Sequence, residues 1–286
     1  MTTLHFNGKT LDLSRPRIMG ILNLTPNSFS DGGDFYDPEK ALDHAYKMVE
    51  DGADILDLGA ESTNPKAAPI TSKEEVKRLL PVFKKLQENL DVPISIDTFR
   101  ADTIGIMLAE GADIINDVTG LGDEGSLTHI DNSNAAVILM HMLGGPEKMH
   151  LNGDYKNDGG ITLSVKNHLK KRANLCIKAG IERGRIVLDP GFGFDKENDD
   201  QLSLLKELAE LQDLGLPLLV GVSRKRLIGA VTKVEEAKAR TMGSVATALW
   251  AINEGAQILR VHDVKETKEA FLMWEAIRNA KRSQEI

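Results

Sequence analysis

Apolar residues along this chain fall into short, nearly unbroken runs. The runs are Ile18–Leu22, Ile55–Gly59, Pro93–Ile96, Ile114–Ile115, Ala135–Met140, Ile186–Leu188, Leu218–Val222 and Ile258–Val261. Several are apolar almost throughout, as parallel strands covered on both faces are, rather than alternating. The stretches between them carry helical spacing. Val76, Leu79, Leu80, Phe83, Leu86 and Leu90 recur every three or four residues, with a kink expected at Pro81. Leu202, Leu205, Leu208 and Leu211 form a second stripe, and Ala270, Phe271, Trp274 and Ile277 a third. Three similar tetrads, Asp-Gly-Ala-Asp (51–54), Glu-Gly-Ala-Asp (110–113) and Glu-Gly-Ala-Gln (254–257), put glycine where a helix stops and a strand begins.

Eight strand candidates alternating with helices predict a parallel sheet. Eight such units in 286 residues predict a closed (β/α)8 TIM barrel, which usually takes about 250 residues. Residues Thr2–Leu13 precede the first unit and are expected to form a short N-terminal hairpin over the barrel bottom. No linker or low-complexity stretch interrupts the pattern, so residues 1–286 are read as one domain.

Composition narrows the function classes. Hydrophobic residues at 41% and charged residues at 27% exclude a disordered chain. Acidic side chains number 43 against 35 basic ones, a formal charge of −8, which argues against nucleic acid or an anionic membrane as the main partner. The one cysteine, Cys176, cannot form an intrachain disulfide and is expected to be a small buried residue of a cytoplasmic protein. The first residues lack the basic, apolar and small-residue zones of a secretory signal. The longest apolar run, Ala135–Met140, is far short of the ~20 residues that span a bilayer.

Active sites of such barrels form at the carboxyl ends of the strands. Here the runs end in Asn23, Glu61-Ser62-Thr63, Asp97, Asn116-Asp117, His141, Asp189, Ser223-Arg224-Lys225, and Arg260 with His262. Asp97, Asn116 and Asp189 supply acceptors suited to a flat heterocycle rich in N–H groups. Arg224, Lys225, Arg260 and His262 gather on the last two strand ends, the quarter that binds phosphate in many barrels. No zinc spacing is present. A metal here would be Mg2+ arriving with a phosphorylated substrate, with the Asn23 carbonyl as a plausible ligand or else a turn-former. Two long rim loops, Asn23–Asp37 and Glu61–Ser72, are expected to act as lids.

These ends sit inside longer motifs. They are Ile21-Leu22-Asn23-Leu24-Thr25-Pro26-Asn27-Ser28-Phe29-Ser30-Asp31-Gly32-Gly33, Asp57-Leu58-Gly59-Ala60-Glu61-Ser62-Thr63, Ser95-Ile96-Asp97-Thr98, Ile115-Asn116-Asp117 and Met140-His141-Met142. There follow Asp189-Pro190-Gly191-Phe192-Gly193-Phe194, Gly221-Val222-Ser223-Arg224-Lys225 and Arg260-Val261-His262-Asp263. In this order, over nearly the full chain, they resemble the dihydropteroate synthase family of pterin-binding barrels. The resemblance implies an enzyme that joins 6-hydroxymethyl-7,8-dihydropterin diphosphate to para-aminobenzoate, releasing pyrophosphate. It implies that Asp97, Asn116, Asp189 and Lys225 hold the pterin. Arg260 would cover the ring and reach a diphosphate contacted by His262, Asn23 and Thr63, with Asn23 near Mg2+. Phe29, Thr63, Pro65 and Ser223 would border the aminobenzoate. Asp97, Lys225, Arg260 and His262 would carry catalysis. Members are usually homodimers and sulfonamide targets. Asn64 stands where the family most often has arginine. A corrinoid-dependent methyltransferase on the same barrel should lack the Ser28–Gly33 lid motif and the cationic strand ends. A non-enzymatic pterin binder should have lost Asp97, Lys225 or Arg260.

Overall fold

A computed structural model of the chain describes residues 2–25, 37–61, 69–144, 153, 155 and 158–281. Two antiparallel strands, β1 (Thr3–Phe6) and β2 (Lys9–Asp12), form the N-terminal hairpin. Eight parallel strands follow: β3 (Arg17–Asn23), β4 (Ile55–Gly59), β5 (Ile94–Asp97), β6 (Ile114–Asp117), β7 (Ala136–Met140), β8 (Ile186–Asp189), β9 (Leu219–Val220) and β10 (Ile258–Val261). They are ordered β8-β7-β6-β5-β4-β3-β10-β9. A parallel bridge between Leu188 and Leu218, with the Leu188 N–H donating to Pro217 O at 2.9 Å, joins the outer two and closes the barrel. Around it lie α1 (Pro38–Glu50), α2 (Ser72–Asn89), α3 (Ala101–Ala109), α4 (Ser126–Asp131), α5 (Ile161–Ala179), α6 (Asn198–Lys206), α7 (Arg226–Thr232), α8 (Thr241–Asn253) and α9 (Val264–Asn279).

Side chains alternate across each strand, and the alternation sorts the chemistry. Leu22, Leu56, Leu58, Ile96, Ile115, Leu139 and Leu259 point outward into the layer shared with the helices. Met19, Ile55, Ile114, Ala136, Ile138, Val187, Leu219 and Ile258 point inward and pack with Leu4, Phe6 and Leu13 of the hairpin region. The barrel is therefore plugged with apolar side chains at its amino end. Polar side chains take inward positions further along the same strands: Asn23, Asp57, Asp97, Asn116, Asp189 and Arg260.

The three tetrads end helices as expected. Gly52, Gly111 and Gly255 have φ of +103°, +95° and +97°. The next residue donates back five positions, Ala53 to Met48, Ala112 to Met107 and Ala256 to Ala251, at 2.9, 3.0 and 2.9 Å. The fourth position has a purpose that spacing did not reveal. Asp54 accepts from the Ile18 N–H at 2.9 Å, Asp113 from Ile94 at 3.1 Å and Gln257 from Leu218 at 3.4 Å. Each side chain holds the start of the preceding neighbour strand and so sets the register. Asp113 also accepts from Asn7 Nδ2 at 3.2 Å, which ties down the hairpin.

Two details depart from the sequence pattern. Leu202 is exposed, whereas Leu205, Leu208 and Leu211 are buried. The α-helix stops at Lys206, and Leu208–Leu214 is a 3-10 turn, whose three-residue period suits the leucine spacing. Ile277 is exposed near the end of α9. Pro81 lies inside helix α2, as the periodicity across it requires. Cys176 is buried as expected, and that burial pushes its thiol up to about 11. Among the described residues no helix is long and apolar enough to cross a membrane.

Replacing Asp113 with Ala leaves the Ile94 N–H without its acceptor and unties Asn7. Stability is expected to fall by about 1–3 kcal/mol, read from the midpoint and slope of urea unfolding.

Candidate active site at the carboxyl end of the barrel

Strand register puts four rim positions in one lateral row. Asn23 lies opposite Gly59, Gly59 opposite Asp97, and Asp97 opposite Asn116. The glycine opens the row: a Cβ at position 59 would sit 3.6 Å from Asp97 Oδ2 and 3.7 Å from Asn23 Oδ1. One level deeper lies Asp57, fully buried. Arg260 spans the two levels. Its Nε donates to Asp57 Oδ2 and its Nη2 to Asp97 Oδ2, both at 2.6 Å. Asn116 Nδ2 donates to the same Asp57 oxygen at 3.1 Å. Asp57 thus orients both an arginine and an amide of the pocket, and its Oδ1 has no partner among the described residues. Reading the strand ends missed it. Its signal was a carboxylate in the middle of an otherwise apolar run.

Burial sets the protonation states. Asp97 is pushed up to about 7 by desolvation, partly countered by Arg260 and reinforced by Asp57 and Glu75. Desolvation also raises Asp189, against the Gly191 N–H that donates to it at 2.8 Å. Lys225 is lowered to about 8 by burial and the nearby Arg260, and its ammonium lies 4.4 Å from the centre of the Phe194 ring. Burial works against the charge of Arg260, but Asp57 and Asp97 outweigh it and hold the guanidinium above its ordinary range.

The loop after β8 is shaped by Lys196, a second residue that sequence reading missed. Its fully buried ammonium donates to Gly191 O at 2.9 Å and Phe194 O at 3.3 Å, and pairs with Asp195 at 3.0 Å. Gly191 takes φ of +72°, and a Cβ there would collide with the His141 carbonyl oxygen. The turn carries Phe194 beneath Lys225.

Several expected rim groups prove to be otherwise engaged. Arg224 is not a free cation, since its Nε donates to Asp263 Oδ2 at 3.0 Å in a two-pronged ion pair. His262 is neutral: burial, then Arg224 and Arg260, lower it to about 3. Its Nδ1 lies 3.0 Å from Ser223 Oγ, which also accepts from the His262 N–H at 3.1 Å. The strand alternation turns His141 outward. It is buried edge-on to His168 on α5, ring centroids 4.8 Å apart, and burial lowers it to about 2. Asp117 likewise faces away and accepts from the N–H groups of Thr119 and Leu121 at 2.7 and 3.0 Å. Glu61 pairs with Arg100 at 2.7 Å and accepts from the Ile70 N–H at 3.3 Å. The structure therefore brings Asn23, Asp97, Asn116, Asp189, Ser223, Lys225, Arg260 and His262 to one end of the barrel. Phe29, Thr63 and Pro65, with most of both expected lids, lie outside the described residues.

Among the described residues no three His, Cys, Asp or Glu side chains converge on a metal position. An uncharged oxygen donor on the rim is the Asn23 amide, which shares the Gly59 opening with Asp97. One neutral oxygen suits a hard cation that brings its remaining ligands with a substrate.

A family model described as "Pterin binding enzyme" matches residues 19–262. A dihydropteroate synthase of Haemophilus influenzae is 42% identical over 277 residues, covering 97% of this chain and 99% of the relative. The solved dihydropteroate synthase of Xanthomonas albilineans with 4-aminobenzoic acid superposes with a TM-score of 0.90 at 40% identity, covering 98% of this chain and 100% of that one. The same enzyme in complex with 7,8-dihydropteroate gives 0.86 at 37% identity, with the same coverage. The Yersinia pestis dihydropteroate synthase in a sulfonamide drug complex gives 0.89 at 43%, again with that coverage.

Nitrogen-detected NMR is expected to find the rings of His141 and His262 neutral throughout pH 5 to 8, because both are lowered far below the ordinary value of 6.5. A midpoint near 6.5 for either ring would contradict the burial described.

Proposed function

The chain belongs to the dihydropteroate synthases of the pterin-binding enzyme family, and on that premise we propose that it condenses 6-hydroxymethyl-7,8-dihydropterin diphosphate with para-aminobenzoate. The products are 7,8-dihydropteroate and pyrophosphate. The observation that carries this reading is the inward-facing set of acceptors, buried Asp57, Asn116 and Asp189 and partly buried Asp97, interleaved with Arg260 and Lys225. An isolated buried charge is very unfavourable, so such a set persists where the charges pair with each other or with a ligand.

In this reading Asp97, Asn116 and Asp189 accept the N–H groups along the pterin edge, and Lys225 donates to a ring acceptor. Arg260 lies over the ring and turns toward the diphosphate, beside Asn23, Thr63 and a neutral, hydrogen-bonding His262. Phe29, Thr63, Pro65 and Ser223 border the aminobenzoate. Mg2+, held through Asn23, would supply positive charge to the departing diphosphate. The path is dissociative. The CH2–O bond breaks first and its electron pair leaves with the diphosphate, giving a pterin cation that Asp97 stabilises. The aniline nitrogen then attacks the CH2 and loses a proton. An aniline is already a competent nucleophile, so no strong base is required. The two rim loops exclude the water that would otherwise capture the cation.

The reading extends to assembly and location. Met242 and Trp250 on α8 and Met273 and Ile277 on α9 are exposed large apolar groups, which support a homodimer. The single buried thiol suits a cytoplasmic location. Sulfonamides would compete with aminobenzoate, with Asn64 setting how well.

Purified enzyme is expected to release pyrophosphate from the pterin diphosphate in proportion to dihydropteroate formed, and only when aminobenzoate is added. Release that ignores aminobenzoate, or none at all, would refute the assignment. Arg260→Met should lower kcat by about 10²–10³; a rate near wild type would sink the electrostatic role. The profile of kcat/KM for the pterin substrate should be bell-shaped. It rises through about 7 as Asp97 ionises and becomes an acceptor, and falls above about 8 as Lys225 loses its proton. Asp97→Asn should remove the acidic limb.

A further inference from the structure

The turn that carries Ser223 and Lys225 is conformationally unfavourable. Arg224, at its centre, has φ of +59°, a left-handed conformation that is unfavourable for a residue with a side chain. Such a conformation persists only where surrounding contacts impose it. Those contacts converge on a residue outside every motif noted in the sequence, Arg240, the last residue of the 3-10 turn Ala237–Arg240 before α8.

The guanidinium of Arg240 is engaged wholly by backbone carbonyls. Nη1 donates to Arg224 O at 3.0 Å and to Lys225 O at 3.4 Å. Nε donates to Val234 O at 2.9 Å, and Nη2 donates to Glu235 O. A second link runs through the backbone. The Arg224 N–H donates to Ser244 Oγ at 2.9 Å, and that hydroxyl donates to Arg240 O at 2.8 Å. One residue thus grips the strained turn from both sides. The fit is close on its third side too. Gly229 on α7 lies against the guanidinium, and a Cβ there would stand 2.7 Å from Arg240 Nε and 2.8 Å from Cζ.

The turn's direction decides where two pocket groups point. Lys225 is the N-cap of α7, and its ammonium reaches the Phe194 ring, while Ser223 Oγ meets the backbone N–H and the ring Nδ1 of His262. We propose that Arg240 is a positioning residue that locks the Ser223–Lys225 turn so that both side chains face the barrel mouth. Substrate affinity then depends on a guanidinium that is itself no part of the pocket. A lysine cannot replace it, because an ammonium offers no planar fork to reach carbonyls of residues 224, 225, 234 and 235 together. The proposal rests on the reading of Ser223 and Lys225 as substrate-facing groups.

The test compares Arg240→Lys, Arg240→Ala and Gly229→Ala with wild type. Wild-type pyrophosphate release is measured first, since its absence would refute the proposed function and not the role of Arg240. The expected result is a rise of about tenfold or more in KM for the pterin substrate and for aminobenzoate, with kcat within about threefold. Millimolar guanidinium should restore KM in Arg240→Ala and fail to do so in Lys225→Ala. Competitive acetylation read by mass spectrometry gives a measure independent of activity: Lys225 should label faster in all three variants as it leaves its seat on Phe194. A residue that only braces the fold would lower Tm or the active fraction and leave KM and Lys225 labelling alone. Wild-type KM values, or wild-type labelling, in both Arg240→Ala and Gly229→Ala would overturn the proposal.

Discussion

The mouth of this barrel depends on the sharing of one guanidinium between a fully buried carboxylate and a partly buried one. Arg260 bonds Asp57 and Asp97 at 2.6 Å each, on adjacent strands and at two depths. Removing either side of this arrangement would leave an uncompensated charge in a largely desolvated place, which is costly. Together they form a compact charged unit to which Asn116 is attached through Asp57. Asp97 remains poised near 7, the result of burial raising its value against the attraction of Arg260. A substrate that offers N–H donors to Asp97 and an anion to Arg260 can replace each half of the ion pair with a partner of the same sign of charge. That exchange is the physical basis of the reading given to the site.

Everything beneath this unit serves to keep it in place. The apolar plug of Met19, Ile55, Ile114, Ile138, Val187 and Ile258, closed from below by the hairpin, excludes water from the deeper face. The side chains of Asp54, Asp113 and Gln257 hold the strand starts in register, so the row of Asn23, Gly59, Asp97 and Asn116 stays aligned at the other end. A slip of one residue would turn every pocket group outward and every leucine inward. Around the rim, Lys196 and Arg240 act alike. Each places its cation among backbone carbonyls and so fixes a loop whose own φ angles are unfavourable. The consequence is a pocket built on rigid strand ends, flanked by loops held from behind.

Much of this was legible in the residues. Uninterrupted apolar runs with glycine-led helix stops announced eight strands, and their polar terminal residues announced the end at which chemistry gathers. The candidate acceptors Asp97, Asn116 and Asp189, and the cations Lys225 and Arg260, do meet there. The errors share one cause. Listing the residues that end each run takes no account of the two-residue alternation, which sends His141 and Asp117 to the helix side and Asp57, two positions before its strand's end, into the pocket. Counting cations likewise overstated the positive charge, because Arg224 pairs with Asp263 and His262 is too buried to hold a proton.

The sequence by itself determined the barrel, its polar end and the residue types available there, because local periodicity and terminal residues are properties of a single strand. Which charges neutralise one another was decided only in three dimensions. Asp57 and Arg260 are 203 positions apart, and nothing in either segment names the other. Their pairing, the depressed histidines and the clamps at Lys196 and Arg240 all follow from desolvation inside the closed barrel, and desolvation exists only once the strands have met.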